Sequence, residues 1–193
     1  MSRITMPDPQ ALTGEQTDVV AEVVSGRRGA IPAPMIAWIR NPELARRGQR
    51  LGELLRFETT LEPVLSELAI LVCARRWTSH HEWTAHKRIA LSAGVDPRTI
   101  DDIAASRSPW LGSRREKAVY EVSSALLSQG RLNDDLYRRG KDGLGERGLV
   151  ELVAILGYYS LVALTLNAFE IGLPENFAPE LEPIIDKPIR GNS

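Results

Sequence analysis

The sequence predicts an all-α domain of about eight helices, and three observations carry that reading. Apolar residues recur at helical spacing in almost every segment, cap residues precede those segments, and no stretch alternates with a period of two. The chain has 193 residues, 43% apolar and 25% charged, enough for one substantial core, so a single domain spanning 1–193 is expected.

Each helix has its own start or stop signal. Thr13-Gly14-Glu15-Gln16 has the form of a capping box, and Val19, Val20, Val23 and Val24 form the stripe behind it, with Gly26 as the stop. The loop from Gly26 to Pro34 is too rich in proline for a helix in its second half. It carries Arg27, Arg28 and Gly29, and reads either as a surface connector or as backbone able to approach an anion. Asn41-Pro42 pairs an N-cap with proline at the first helical position, opening a helix through Leu44, Leu51, Leu54 and Leu55. A further helix is expected from Pro63 to about Trp77, and another from His81 to Ala93, stopped by Gly94. Asp96-Pro97 caps a short helix with Ile100 and Ile103; Ser113 to Ser128 is amphipathic; Asn133 opens a short segment. Leu149 to Phe169 is expected as one long buried helix or as two broken near Gly157. The domain core is placed at 41–172, and the Pro-rich tail, 174–193, is expected to be extended.

A faint repeat adds a topological expectation. Ser66-Glu67-Leu68-Ala69-Ile70-Leu71 aligns with Val150-Glu151-Leu152-Val153-Ala154-Ile155 at an offset of 84, which sets Glu170 opposite His86. Either a duplicated helical hairpin or coincidence between two apolar helices explains it.

Charge and cysteine content narrow the function classes. With 24 basic against 25 acidic residues the net charge is -1, which gives no basic excess for a phosphate backbone, so nucleic acid is not expected as a partner. No run reaches the length of a membrane span and the N-terminus lacks the apolar core of a signal peptide, so a cytoplasmic protein is expected. Cys73 is the single cysteine, which excludes an intrachain disulfide and a CxxC redox pair.

Chemistry concentrates in His80-His81-Glu82-Trp83-Thr84-Ala85-His86, which holds all three histidines. His81-Glu82-x-x-x-His86 has one residue too many for the zinc motif HExxH. At about 100° per residue its histidines lie roughly 140° apart, not on one face. Glu82 and His86, at i and i+4, share a face and form a candidate acid/base pair. Glu67, near the start of the preceding helix, can approach His86 from an antiparallel neighbour. Burial beside Leu68, Ile70 and Leu71 would disfavour its charged form, and a nearby imidazolium would favour it. A glutamate placed at a helix start for the dipole is the plainer alternative. His80 and His81 point in different directions, so at most one faces a given pocket; Trp83 is a substrate platform or a core aromatic.

The stretch from Ser66 to Arg107 resembles the carboxymuconolactone decarboxylase family, which includes the alkylhydroperoxidase D proteins. The residues that carry the resemblance are Glu67-Leu68-Ala69-Ile70-Leu71, Glu82-Trp83-x-x-His86 and Ala90-x-x-x-Gly94. It extends more loosely through Arg28-Gly29, Asn41 to Leu44 and Leu149 to Asn167. It implies the alkylhydroperoxidase D-like fold, a homo-oligomer, trimer or hexamer, and a proton relay built from Glu67, His81 and His86. In the peroxidase branch a cysteine pair completes the site, but here those two places hold Ser79 and Glu82, so thiol peroxidase chemistry is not expected.

The decarboxylase branch implies a small carboxylated ring-fission product as substrate, as in 4-carboxymuconolactone decarboxylation. His86, backed by Glu82 or Glu67, would deliver a proton to carbon. Arg28, Arg56 and Arg75 are the candidates to hold the substrate carboxylate. Double-bond or cis–trans isomerisation of a ring-fission dienoate would use the same groups, and a non-catalytic binding protein is the reading from a different class. Proton transfer on an activated lactone or dienoate calls for no metal and no organic cofactor.

Overall fold

The computed structural model describes residues 2–27, 29–173 and 176–184, and among them it has eight α-helices, a short 3-10 turn and no strand. The helices are α1 (Gly14–Ser25), α2 (Met35–Trp38), α3 (Pro42–Phe57), α4 (Pro63–Arg76), α5 (His80–Ala93), α6 (Pro97–Ala104), α7 (Arg114–Gln129) and α8 (Asp134–Ala168). Their ends follow the local signals. Thr13 and Gln16 form the reciprocal capping box of α1, and Gly26 closes it. Asn41, Asp96, Ser113 and Asn133 each accept a backbone N–H at the start of α3, α6, α7 and α8. Gly94 and Gly130, at φ 96° and 72°, end α5 and α7 in the left-handed region.

α4 is the central helix. From Leu65 to Arg75 every residue is buried, because α5, α7, α8 and α6 pack around it. A helix with no solvent face must be apolar nearly all round, and α4 is, apart from Ser66, Glu67 and Arg75. Those polar exceptions are the positions that need a physical explanation.

α2 has no counterpart in the sequence reading. It is one turn in the Pro-rich connector, and it buries Met35, Ala37 and Trp38. Trp38 donates from Nε1 to Thr165 Oγ1 on α8 at 3.0 Å, so the connector is tied to the core.

The break in the last helix also differs from expectation. Gly157 sits in regular helix, and the kink lies at Gly145, with φ 75° and ψ 167°. The segment opened by Asn133 therefore runs on into the apolar stretch as one kinked element ending at Ala168.

The duplicated hairpin is not present. The offset of 84 would lay α5 on residues 164–177, yet α8 ends at Ala168 and no helix follows among the described residues. Glu170, the position opposite His86, has φ 48° and pairs with Arg3. The resemblance between the two glutamate-led stretches reflects two core helices with similar apolar content.

The absence of any membrane-length run needs correction as well. α8 is long and apolar enough to cross a bilayer by length and composition, with a mean hydropathy of 2.0 in its most apolar window. More than half of that window, 56%, is buried inside the fold, which accounts for its apolar character without a membrane. The extended tail is borne by residues 176–184, which hold no helix; Pro174, Glu175 and 185–193 lie outside the described residues.

The Gly145 conformation belongs to a region that side chains other than hydrogen avoid. No atom lies within 4 Å of the place a Cβ would take, so Gly145→Ala isolates backbone strain. The expected outcome is a loss of about 1–3 kcal/mol in chemical denaturation with an unchanged helical spectrum.

Candidate functional site

Glu67 and His86 meet across the α4/α5 interface. The reversal between these helices is tight: Ser79 N–H donates to the Ala74 carbonyl at 2.9 Å, and Thr78 takes φ 46° to make the turn. The returning helix brings His86 Nδ1 to 2.7 Å from Glu67 Oε2, with both residues buried. The carboxylate accepts the Nδ1–H bond, which leaves Nε2 as the ring nitrogen free to exchange a proton with a ligand.

His86 lies on the wall of a cavity of about 290 Å³. His81 and Glu82 of α5 share that wall, as do Tyr158 and Tyr159 of α8, Arg56 of α3 and the connector from Ile31 to Pro34. Tyr159 meets His86 edge to face at a centroid distance of 4.9 Å, and Tyr158 meets Tyr159 in the same way at 5.3 Å. Trp38 closes the chain of rings against Tyr158 at 6.2 Å. The imidazole is thus fixed by a hydrogen bond on one side and by an aromatic edge on the other.

Glu82 is the most unusual group in the cavity. It is 2% exposed, and neither carboxyl oxygen makes a hydrogen bond among the described residues. Desolvation alone pushes its carboxyl well above the usual carboxylate range, which favours the protonated form. The expected Glu82–His86 hydrogen bond does not form; Glu67 takes His86, and Glu82 lines the same cavity.

His81 donates from Nδ1 to the Gly172 carbonyl at 2.8 Å and lines both this cavity and an outer one of about 440 Å³, which His80 also lines. Arg56 is the proposed carboxylate ligand that reaches the His86 cavity. Its guanidinium sits 5.4 Å from the centroid of the Phe57 ring and has no ion-pair partner among the described residues. Arg75 lines a different cavity, beyond the far end of α4, because eight residues separate it from Glu67. Trp83 is wholly buried and lines neither cavity, so it is a core aromatic here. Arg28 lies outside the described residues.

The tyrosine pair and the connector are the wall elements that sequence reasoning passed over. Adjacent tyrosines inside an otherwise aliphatic stretch were the available signal for the first; a proline run that must pack somewhere was the signal for the second. Cys73 is buried, its thiol raised above its ordinary value mainly by desolvation and further by the carboxyl of Glu82. It therefore offers no thiolate nucleophile. Among the described residues no three His, Cys, Asp or Glu side chains converge as a metal site.

The comparisons with known proteins bear on the fold. No curated protein matches the sequence. In fold, the chain is similar to an alkylhydroperoxidase core, an uncharacterized peroxidase-related protein from Ralstonia eutropha JMP134, with a TM-score of 0.73 at 15% identity over 90% of this chain and 93% of that one. A variant of the debrominase Bmp8 in complex with 2,3,4-tribromopyrrole gives 0.70 at 13% identity, over 89% and 91%. A protein of unknown function from Agrobacterium tumefaciens gives 0.61 at 12% identity, over 71% and 94%.

Burial of Glu82 has a consequence for stability. In the unfolded chain it titrates near 4.5; in the folded chain it holds its proton to higher pH. Below 4.5 both states are protonated and nothing is lost. As pH rises from there toward the folded value, the unfolded state releases a proton that the folded state keeps, so stability falls. Urea unfolding between about pH 5 and pH 8 should show a smaller decline in Glu82→Gln than in the unaltered protein, and equal slopes would rule this contribution out.

Residues 42–125, the segment from α3 into α7 that carries Glu67, Glu82 and His86, match the Carboxymuconolactone decarboxylase family, and the chain has the alkylhydroperoxidase D-like fold with a single cysteine and so no cysteine pair.

Proposed function

We propose that the protein is a cofactor-independent acid/base enzyme acting on a small carboxylated ring-fission product, by decarboxylation of the 4-carboxymuconolactone type. The observation that carries this reading is the buried Glu67–His86 hydrogen bond on the wall of a cavity that also holds Arg56. Arg56 would receive the retained carboxylate of the substrate through its guanidinium fork. The bond to the departing carboxyl group breaks, carbon dioxide leaves, and the electron pair delocalises toward the lactone carbonyl. His86, as imidazolium stabilised by Glu67, returns a proton from Nε2 to carbon. Glu82, whose protonated form burial favours in the same cavity, would then reprotonate His86 or hydrogen-bond the developing enolate oxygen.

Isomerisation of a dienoate is the second reading, and the presence of a buried carboxyl and an imidazole on one cavity favours it. Removal of a proton by His86 and delivery of another by Glu82 would move a double bond without loss of carbon. A panel of muconolactones and ring-fission dienoates, followed by product NMR, separates the two through release of carbon dioxide. His86→Ala should lower kcat by about 10²–10⁴ with the fold retained. Turnover of a confirmed substrate at an unchanged rate by that variant would remove His86 from the mechanism, and inactivity of the unaltered protein throughout would leave a binding protein.

A homo-oligomer, trimer or hexamer, is part of the same proposal. Val150, Val153, Leu161 and Leu164 form an outward stripe along α8, with Val150 68% exposed. A second copy would cover this apolar face. Light scattering should give a multiple of the single-chain mass, and Leu161→Glu with Leu164→Glu should shift it toward one chain; an oligomer that ignores both changes is built elsewhere.

A further inference from the structure

α4 carries a buried charge that the proton relay does not use. Arg75 is 8% exposed, and its partners are neutral: Nε donates to Ser106 Oγ at 2.9 Å and a terminal nitrogen donates to Thr78 Oγ1 at 3.3 Å. Among the described residues no carboxylate forms an ion pair with it; the exposed Glu182 is the acidic group whose field reaches it. Burial lowers its pKa from the ordinary value, yet a guanidinium keeps its proton under any physiological condition. A buried cation held only by hydroxyl groups is costly unless an anion completes the set.

The space for one is present. Arg75 faces a cavity of about 190 Å³ at the end of α4, bounded by Arg76, by Arg107 beyond α6, and by Tyr120 and Ser124 of α7. No aspartate or glutamate is among its lining residues. Arg76 donates from Nε to the Leu127 carbonyl at 3.1 Å, and Arg107 is held at 2.8 Å from Asp102, so the wall is braced. Arginine and hydroxyl residues from several elements line it beside Val72, Ile103 and Leu127, and donors spread over several directions suit a tetrahedral anion better than a planar carboxylate.

We propose that this cavity is a binding site for a small tetrahedral oxyanion, inorganic phosphate or a small phosphate monoester, with Arg75 as its principal ligand. The site is separate from the His86 cavity and shares no lining residue with it, so it stands whatever reaction the protein catalyses.

Titration calorimetry of the full chain at low ionic strength tests this, with inorganic phosphate, methyl phosphate and acetate as separate arms and chloride to match ionic strength. Saturable binding of phosphate or methyl phosphate is expected, and whichever binds tighter identifies the source. Acetate binding as tightly as both would overturn the tetrahedral assignment. Arg75→Gln should weaken binding by about tenfold or more. Because loss of a buried group can also disturb folding, Ser124→Glu provides a second test: it places a carboxylate in the cavity, neutralises Arg75 and should abolish phosphate binding while raising the melting temperature. No saturable binding by the unaltered protein, or undiminished binding by Ser124→Glu, would sink the proposal.

Discussion

The molecule is organised around one buried hydrogen bond, between the carboxylate of Glu67 and the imidazole of His86. Neither group is tolerable alone where it sits. A lone carboxylate on the all-buried helix α4 would lack hydration, and a lone imidazole on α5 would face the same deficit. Paired, they satisfy each other, and the cost of breaking such a pair by removing one partner is about 3–5 kcal/mol. The constraint reaches outward. α4 and α5 must pack antiparallel with their faces in fixed register, which is why the turn between them accepts a threonine at positive φ.

Surrounding elements serve the same register. Tyr159 of α8 bears on the His86 ring, Tyr158 supports Tyr159, and Trp38, pinned to Thr165, supports Tyr158. The short helix α2 is therefore part of the site and not a decorated connector; it brings the Ile31 to Pro34 backbone over the cavity. An anchored roof of proline loses little conformational entropy on closing, because its φ is fixed before folding.

The sequence disclosed local features well and long-range ones poorly. Asn41, Asp96, Ser113, Asn133 and the glycines at 94 and 130 act through bonds a few residues long, so their roles could be read directly. The i, i+4 spacing set Glu82 and His86 on one face, and both line one cavity, but spacing within one helix says nothing about a competitor on another. Glu67 won His86 because it arrives from α4 at 2.7 Å. The kink is a similar case. Gly145 and Gly157 both interrupt helical pattern, and only the surrounding packing decides that the first takes φ 75° while the second stays helical. Trp83 and Arg75 carried chemistry by residue type, yet burial sent one to the core and the other to a separate cavity.

Glu82 shows how this branch can depart from thiol chemistry without losing a proton donor. By the resemblance, its place is one where the peroxidase branch holds a cysteine. A thiol there serves through its thiolate, which requires an environment that stabilises negative charge. The environment here does the opposite: its desolvation raises both the carboxyl of Glu82 and the thiol of Cys73 above their ordinary values. The same desolvation disfavours a thiolate at position 82, whereas a protonated carboxyl there has an O–H to donate into the cavity that His86 also lines. The desolvated cavity and the glutamate therefore suit each other. Under the proposed reaction, an anionic transition state delocalised onto a carbonyl oxygen would gain more from a protonated Glu82 than from a second carboxylate, since a charged Glu82 would repel it in a medium of low dielectric.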